Sequence, residues 1–206
     1  MSKTLISLFD YTGNWSRPYK EAGWDVIQVD IKHGIDIMGW YYKKYGYVDG
    51  ILCAIPCTDY ALSGAKHFKR KDADGTTAKS QLLVQEVKEI LDYFERQAMM
   101  LGRKLPFWAI ENPMSRIHTL NPWMRSPLLK FDPCDYAGYD PEPDNSRYNK
   151  KTWLWGEFYI PEKKRIEPLS TENPGWRNLG GKSERTKELR SITPLGFAYA
   201  FYEANH

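Results

Sequence analysis

Four short apolar runs, each stopped by a polar or turn-forming residue, constrain what this chain can fold into more than any other feature. They are TLISLF (4–9), WDVIQVD (24–30), DGILCAIP (49–56) and PFWAIENP (106–113). The third is apolar on successive residues from Ile51 to Ile55, which suits a central parallel strand covered on both faces. Between the runs lie helical patterns. Arg17 to Ala22 reads as a short helix closed by Gly23. Thr76 to Leu101 reads as a long one closed by Gly102, with Leu82, Leu83, Val87, Ile90, Leu91 and Phe94 at helical spacing. Strands alternating with helices predict an α/β protein with a doubly wound, mostly parallel sheet. Its site is expected in the loops that follow the strand C-terminal ends.

The remainder is less regular. Residues 114–147 are rich in Pro, Asn and Asp and read as a long, irregular, loop-rich insertion. TWLWGEFYI (152–160) reads as a strand with a β partner nearby, 161–190 as polar loop, and TPLGFAYAFYEAN (193–205) as an amphipathic closing helix. With no internal repeat, residues 1–206 are expected to form one domain. Hydrophobic residues make up 42% and aromatics 15%, which excludes a globally disordered chain. No stretch approaches the roughly 20 apolar residues of a membrane span. The three cysteines, an odd number without framework spacing, point to a reducing compartment. The first residues show no secretory leader, so a cytoplasmic protein with no membrane partner is expected. The net charge of +3 is unevenly spread. Residues 1–65 hold 6 Lys/Arg against 7 Asp/Glu, whereas 144–190 hold 11 against 7. Either a polyanion approaches one face or the later segment is a solvated basic surface.

Four loops hold the candidate chemistry. LFDYTGNWS leaves the first strand through Gly13 into a helix, an arrangement that presents backbone N–H groups to a nucleotide-like ligand. Asp30 ends the second strand, where an acid either accepts from a ribose diol or serves an ordinary turn. Asp36, in GIDI, either reads an adenine amino group or caps a local turn. Cys57 follows Pro56 at the mouth of the third strand, beside Thr58 and Asp59, where a thiol of lowered pKa would be a nucleophile. Cys53 reads as a buried structural cysteine. Glu111 follows four apolar residues in the fourth strand and is costly to bury without a partner; a carboxyl there is a natural proton donor to a bound heterocycle. Lys66, Lys69, Arg70 and Lys71 would face a phosphate backbone, or form a solvated turn. The histidines are scattered and Cys134 is isolated, so no metal site is expected.

Together these pieces resemble the DNA (cytosine-5) methyltransferases. LFDYTGNWS is similar to that family's first cofactor loop, with Phe9, Gly13 and Ser16 matching. Asp30 and Asp36 fall where its ribose-binding and adenine-binding acids fall. PCTDYALSG resembles the Pro-Cys nucleophile motif, ENP the Glu-Asn-Val motif, and RYNKKTWLWG (147–156) the basic strand motif. The resemblance implies a Rossmann-like class I fold and S-adenosyl-L-methionine as cofactor. Phe9, Asp10, Tyr11, Thr12, Gly13, Asp30, Ile31, Asp36, Ile37 and Pro56 would hold that cofactor. It further implies Cys57 as the nucleophile on carbon 6 of cytosine and Glu111 as the group at nitrogen 3. Lys151, or Lys150, would meet the base carbonyl or a phosphate. Pro56, Thr58, Asp59, Ser63, Asn112, Pro113 and Lys150 would line the substrate pocket.

The chain also departs from the family. Two glycines of the cofactor loop are replaced, Thr58 stands where a glutamine is usual, and the long target-recognition region is missing. This suggests a short, phage-type variant acting on duplex or single-stranded DNA, with a specificity subunit as a further partner. Two alternatives stand beside it: the same chemistry on RNA or a free cytosine nucleotide, and a degenerate fold serving as a nucleic-acid- or partner-binding module.

Overall fold

Successive residues on each central strand point to opposite faces, and both faces are apolar here. Leu5, Leu52, Ala109 and Leu154 enter one core cluster, while their neighbours Ile6, Ile51, Ile110 and Trp155 enter the other. The computed structural model describes residues 2–169 and 191–206; the basic stretch GGKSERTKELR (180–190) lies outside them. The strands are β1 (Thr4–Leu8), β2 (Asp25–Val29), β3 (Gly50–Cys53), β4 (Phe107–Pro113), β5 (Leu129–Phe131) and β6 (Thr152–Glu157). They form one mixed sheet in the order β2-β1-β3-β4-β6-β5. The pairings β1–β2, β1–β3 and β3–β4 are parallel, whereas β6 runs antiparallel to both β4 and β5. This α/β sheet with helices on both faces is compatible with a Rossmann-like architecture.

The helices are α1 (Arg17–Glu21), α2 (Phe68–Ala73), α3 (Thr76–Met100), α4 (Ile117–Leu120) and α5 (Leu195–Ala204). On α3, Val84, Val87, Leu91, Phe94 and Ala98 recur every three or four residues and bury one stripe. Leu82, expected on that stripe, is 57% exposed: it lies between the buried positions and faces water. The other face is covered by α1 and α5, with Tyr19, Phe197 and Phe201 fully buried.

The expected irregular loop 114–147 needs correction. It contains β5 and a buried 3-10 helix, Pro133–Tyr139, capped by the carboxylates of Asp132 and Asp135. Phe131 stacks on Phe197 of α5 with ring centroids 4.2 Å apart, so this stretch belongs to the core. Among the described residues, no helix is long and apolar enough to cross a membrane.

Candidate active site

The chain leaves β1, adds β2 on one side, then crosses to β3 on the other. Ligands bind open α/β sheets at such a reversal, outside the strand C-terminal ends. The loops after β1, β2, β3 and β4 all emerge at that edge.

The β1 loop is set by its backbone. Phe9 donates its N–H to the Val29 carbonyl at 2.9 Å while adopting φ +58°, a left-handed conformation rare for a bulky residue. Asp10, in contrast to its expected cofactor role, holds the loop together. Its Oδ2 accepts from Ser7 Oγ (2.9 Å), Ser16 N (3.1 Å) and Ser16 Oγ (2.9 Å), and its carbonyl accepts from Gln28 Nε2 (2.9 Å). Gly13 sits at φ +69°, where a Cβ would lie 2.9 Å from Gln28 Nε2. Gly13→Ala should therefore cost about 1–2 kcal/mol in a denaturant melt, from left-handed strain and displacement of Gln28. An unchanged midpoint would show the loop has room.

After β2, one oxygen of each candidate acid serves its own turn: Asp30 Oδ1 accepts from Lys32 N at 2.8 Å, and Asp36 Oδ1 from Met38 N at 3.0 Å. Both turn readings of the sequence therefore hold locally. Beside Asp30, Ile31 is 72% exposed, whereas Ile37 is buried in the core. Exposed Tyr11 lies with its ring centroid 5.0 Å from His33, whose Nε2 is 2.9 Å from the Tyr11 carbonyl, so the first two loops are tied together. Thr12 Oγ1 accepts from Asn14 N within the first loop. A shallow groove lined by Met38, Trp40, Tyr42, Glu86 and Glu89 lies beyond Asp36, away from Cys57 and Glu111.

Cys57 and Glu111 come together. Cys53 pairs with Ile110 across β3–β4, so Glu111 follows directly on the strand beside the Cys57 loop. Asn112, fully buried, donates Nδ2–H to the Ile55 carbonyl at 2.9 Å and fixes the approach to Pro56 and Cys57. The Cys57 carbonyl accepts from Tyr60 N (3.0 Å) and Ala61 N (2.9 Å), forming a tight turn. Glu111 is only 7% exposed, and its Oε1 has no hydrogen-bond partner among the described residues. Burial pushes the Glu111 carboxyl above its ordinary range, opposed by the Lys150 charge. Burial, then Glu111, push the Cys57 thiol up as well, again opposed by Lys150. The nucleophile candidate thus starts as a thiol, contrary to the lowered pKa its role suggested. Cys53 is buried and its thiol is raised by burial and Glu111, as a structural cysteine should be.

Three sequence assignments change. Lys151 turns away: its Nζ lies 2.5 Å from Asp132 Oδ2. Lys150, its neighbour just before β6, is the one whose charge reaches Cys57 and Glu111. Asp59 is buried and structural, bound by Lys71 Nζ at 2.6 Å and by Ser80 Oγ. Burial alone would raise its carboxyl, but these hydrogen bonds hold it below its ordinary value. Lys71, expected on phosphate, is consumed by Asp59 and by the Thr58 carbonyl at 2.7 Å. Pro56, Thr58 and Ser63 remain exposed at the mouth, and Pro113 is half-buried.

The chain matches no family model and no curated protein.

Sequence reading missed Tyr148, whose hydroxyl is raised by burial and then by the charge of Glu111. A tyrosine in RYNKK has no signal separating it from a packing residue. Missed too were Leu62 and Met114, exposed apolar residues whose segments pair through Leu62 N to Met114 O at 3.0 Å. What the site holds, then, is a thiol, a buried carboxyl with an unsatisfied oxygen, and a nearby cation. That set can add sulfur to an electron-poor ring while exchanging a proton with a ring nitrogen. Among the described residues, no group of three His, Cys, Asp or Glu side chains is placed to hold a metal ion.

Proposed function

We propose that this chain is an S-adenosylmethionine-dependent methyltransferase of Rossmann-like class I fold that methylates carbon 5 of cytosine in DNA. The observation that carries the reading is Glu111: a carboxyl buried at a strand end, with an oxygen awaiting a partner, beside a thiol. Leaving such a group unpaired costs stability in a dry site. A substrate that supplies the missing hydrogen bond accounts for its presence, and a pure binding module has no need of the pair.

The β1 and β2 loops fit an adenosine-bearing cofactor. Asp30 and Asp36 stand at the turns after β2, and Ile31 offers an uncovered apolar surface. Asp10 and the filled space at Gly13 belong to the loop's own structure. The cofactor, when bound, supplies an electrophilic methyl carbon.

The protein's own steps follow from the site. Cys57 passes its proton within the Cys57–Glu111 pair, so that a thiolate faces a protonated carboxyl. The sulfur bonds to carbon 6 of cytosine while Glu111 hydrogen-bonds or protonates nitrogen 3, and the ring's electron pair is directed to carbon 5, which takes the methyl group. A base then removes the carbon-5 proton, the carbon–sulfur bond breaks, and nitrogen 3 returns its proton to Glu111. Lys150 steadies both anions.

The test is adduct formation with DNA carrying 5-fluorocytosine, in the presence of S-adenosylmethionine, since fluorine cannot leave as a proton does. A band resistant to denaturation is expected with the intact protein and not with Cys57→Ala. No adduct on any DNA, RNA or nucleotide form would overturn the reading in favour of a binding module, and adduct on RNA or nucleotide alone would reassign the substrate.

A further inference from the structure

The groove beyond the Asp36 turn takes no part in the chemistry above. It measures about 330 Å³; Met38, Trp40, Tyr42 and Lys43 line it from one segment, and Glu86 and Glu89 from α3. Its walls are fixed. Met38 N donates to Asp36 Oδ1 at 3.0 Å, Trp40 N to the Ile37 carbonyl at 3.2 Å, and Tyr42 N to the Trp40 carbonyl at 2.9 Å. From α3, Tyr93 donates its hydroxyl to the Lys43 carbonyl at 3.1 Å. The Trp40 ring leans on Tyr42 and Tyr45, with centroids 6.1 and 5.9 Å away. Glu86 and Glu89 are three residues apart and share one helix face, so two carboxylates meet the same opening. Among the described residues neither forms an ion pair; Glu89 accepts a hydrogen bond from Gln85 Nε2 at 3.2 Å. Burial and then the Glu89 charge raise the Glu86 carboxyl, against the pull of Lys43. Lys43 Nζ lies 5.8 Å from the centre of the Tyr42 ring, so the chain's own ammonium already stands where ring and carboxylates attract a cation.

We propose that this groove docks an arginine side chain carried on an exposed segment of a partner protein. The inference goes beyond the methyltransferase reading and stands independently of it. Paired carboxylates repel nucleic acid and anionic lipid, so the occupant is a cation. A hard metal ion takes six or more oxygen ligands, whereas this groove offers it rings and a thioether besides two carboxyls. A guanidinium suits both kinds of wall. Its flat face stacks on an indole, and its edge N–H groups pair with carboxylates. An ammonium is compact, strongly hydrated and has no flat face. Small free ligands are buried over most of their surface. This groove is shallow, with Met38 47% exposed at its rim, which leaves room for the chain bearing the arginine to continue along the surface.

The full chain, labelled with nitrogen-15, is titrated with acetyl-Gly-Arg-Gly amide and with the same peptide carrying citrulline, which keeps the shape of arginine without its charge. Saturable shifts at the Trp40 indole and along the 38–43 backbone are expected with arginine at about millimolar peptide, and none with citrulline. Glu86→Gln/Glu89→Gln and Trp40→Ala should each weaken binding about tenfold or more. Lys43→Met removes the competing ammonium and should tighten binding about threefold. Melting curves check that each variant is folded. The glutamine changes keep side-chain size on a helix face, so they carry the test should Trp40→Ala not fold. No saturable shift at these residues, an equal response to citrulline, undiminished binding by the glutamine variant, or weaker binding by Lys43→Met would overturn the proposal. Spermidine or free arginine amide binding about tenfold more tightly than the peptide would overturn it too, as the mark of a site for a small free cation. None of these outcomes touches Cys57 or Glu111, whose adduct assay decides the methyltransferase reading separately.

Discussion

Replacing Glu111 with glutamine should slow methyl transfer to cytosine by about 10²–10⁴-fold, the range contributed by one positioned proton-transfer group. Glutamine fills the same space and can still hydrogen-bond nitrogen 3, but it cannot exchange a proton with Cys57. The pH profile tests the assignment more sharply. Burial raises the carboxyl against the pull of Lys150, and burial with the Glu111 charge raises the thiol. The active form carries one proton on the pair, so the profile reports values belonging to the pair. Activity should fall on the acid side at a pH above the ordinary glutamate value, and persist on the alkaline side beyond the ordinary cysteine value of about 8.5. In Glu111→Gln the alkaline limb should vanish and the residual activity should rise with pH as the thiol ionises, at a lower pH than in the intact site because no carboxylate then opposes the thiolate.

Stability should change in the opposite sense. A carboxyl raised by burial favours the folded state below its unfolded pKa, and that advantage is lost as pH rises through the folded value. The intact protein should thus lose stability as pH rises from the ordinary glutamate range through the raised one, and Glu111→Gln should not. The variant is expected to be far less active yet more heat-resistant at neutral pH. Equal pH profiles, or a lower melting temperature for the variant at neutral pH, would show that Glu111 is not the buried acid of the site.

The parts of the molecule legible in the sequence are those fixed by near neighbours. The ends of β1, β2, β4 and α3 fall within a residue of the expected bounds, because apolar runs stop there at Asp, Pro or Gly, whereas β3 ends at Cys53, three residues before Pro56. Cys57 and Glu111 were visible for the same reason: each follows directly on such a run. What stayed hidden depends on distant chain. Pro133–Tyr139 is full of turn residues and reads as loop, yet it is buried because Phe131 and Tyr136 meet Phe197 of α5. The choice between Lys150 and Lys151 turns on Asp132, far away in sequence, which takes the Lys151 ammonium. Leu62 and Met114 are ordinary apolar residues in sequence; only the pairing of their segments sets them side by side.

Lys71→Met should destabilise the protein by about 3–5 kcal/mol, the cost of leaving one member of a buried ion pair alone. Asp59 and Lys71 are nearly buried, 11% and 12% exposed at the side chain, and lie 2.6 Å apart. Asp59 was expected to touch substrate; its hydrogen bonds show instead what holds the Cys57 turn. Its carboxylate gathers Lys71 from α2 and Ser80 from α3, and its carbonyl accepts from the Arg116 guanidinium at 3.3 Å, so three segments converge two residues after Cys57. Methionine keeps the apolar stem of Lys71 and deletes only its charge, leaving the buried anion with a single hydroxyl donor. For a chain of this size the loss corresponds to a melting temperature lower by roughly 10 °C. Because the carboxyl is held below its ordinary value, its contribution is present at neutral pH and disappears as the solution is acidified below about pH 4. The gap between the intact protein and Lys71→Met should therefore close in acid. Adding Asp59→Asn to Lys71→Met removes the stranded charge and should recover part of the loss, a coupling that a double-mutant cycle reads directly. A cycle with no coupling, or a gap independent of pH, would show that the pair does not hold the turn.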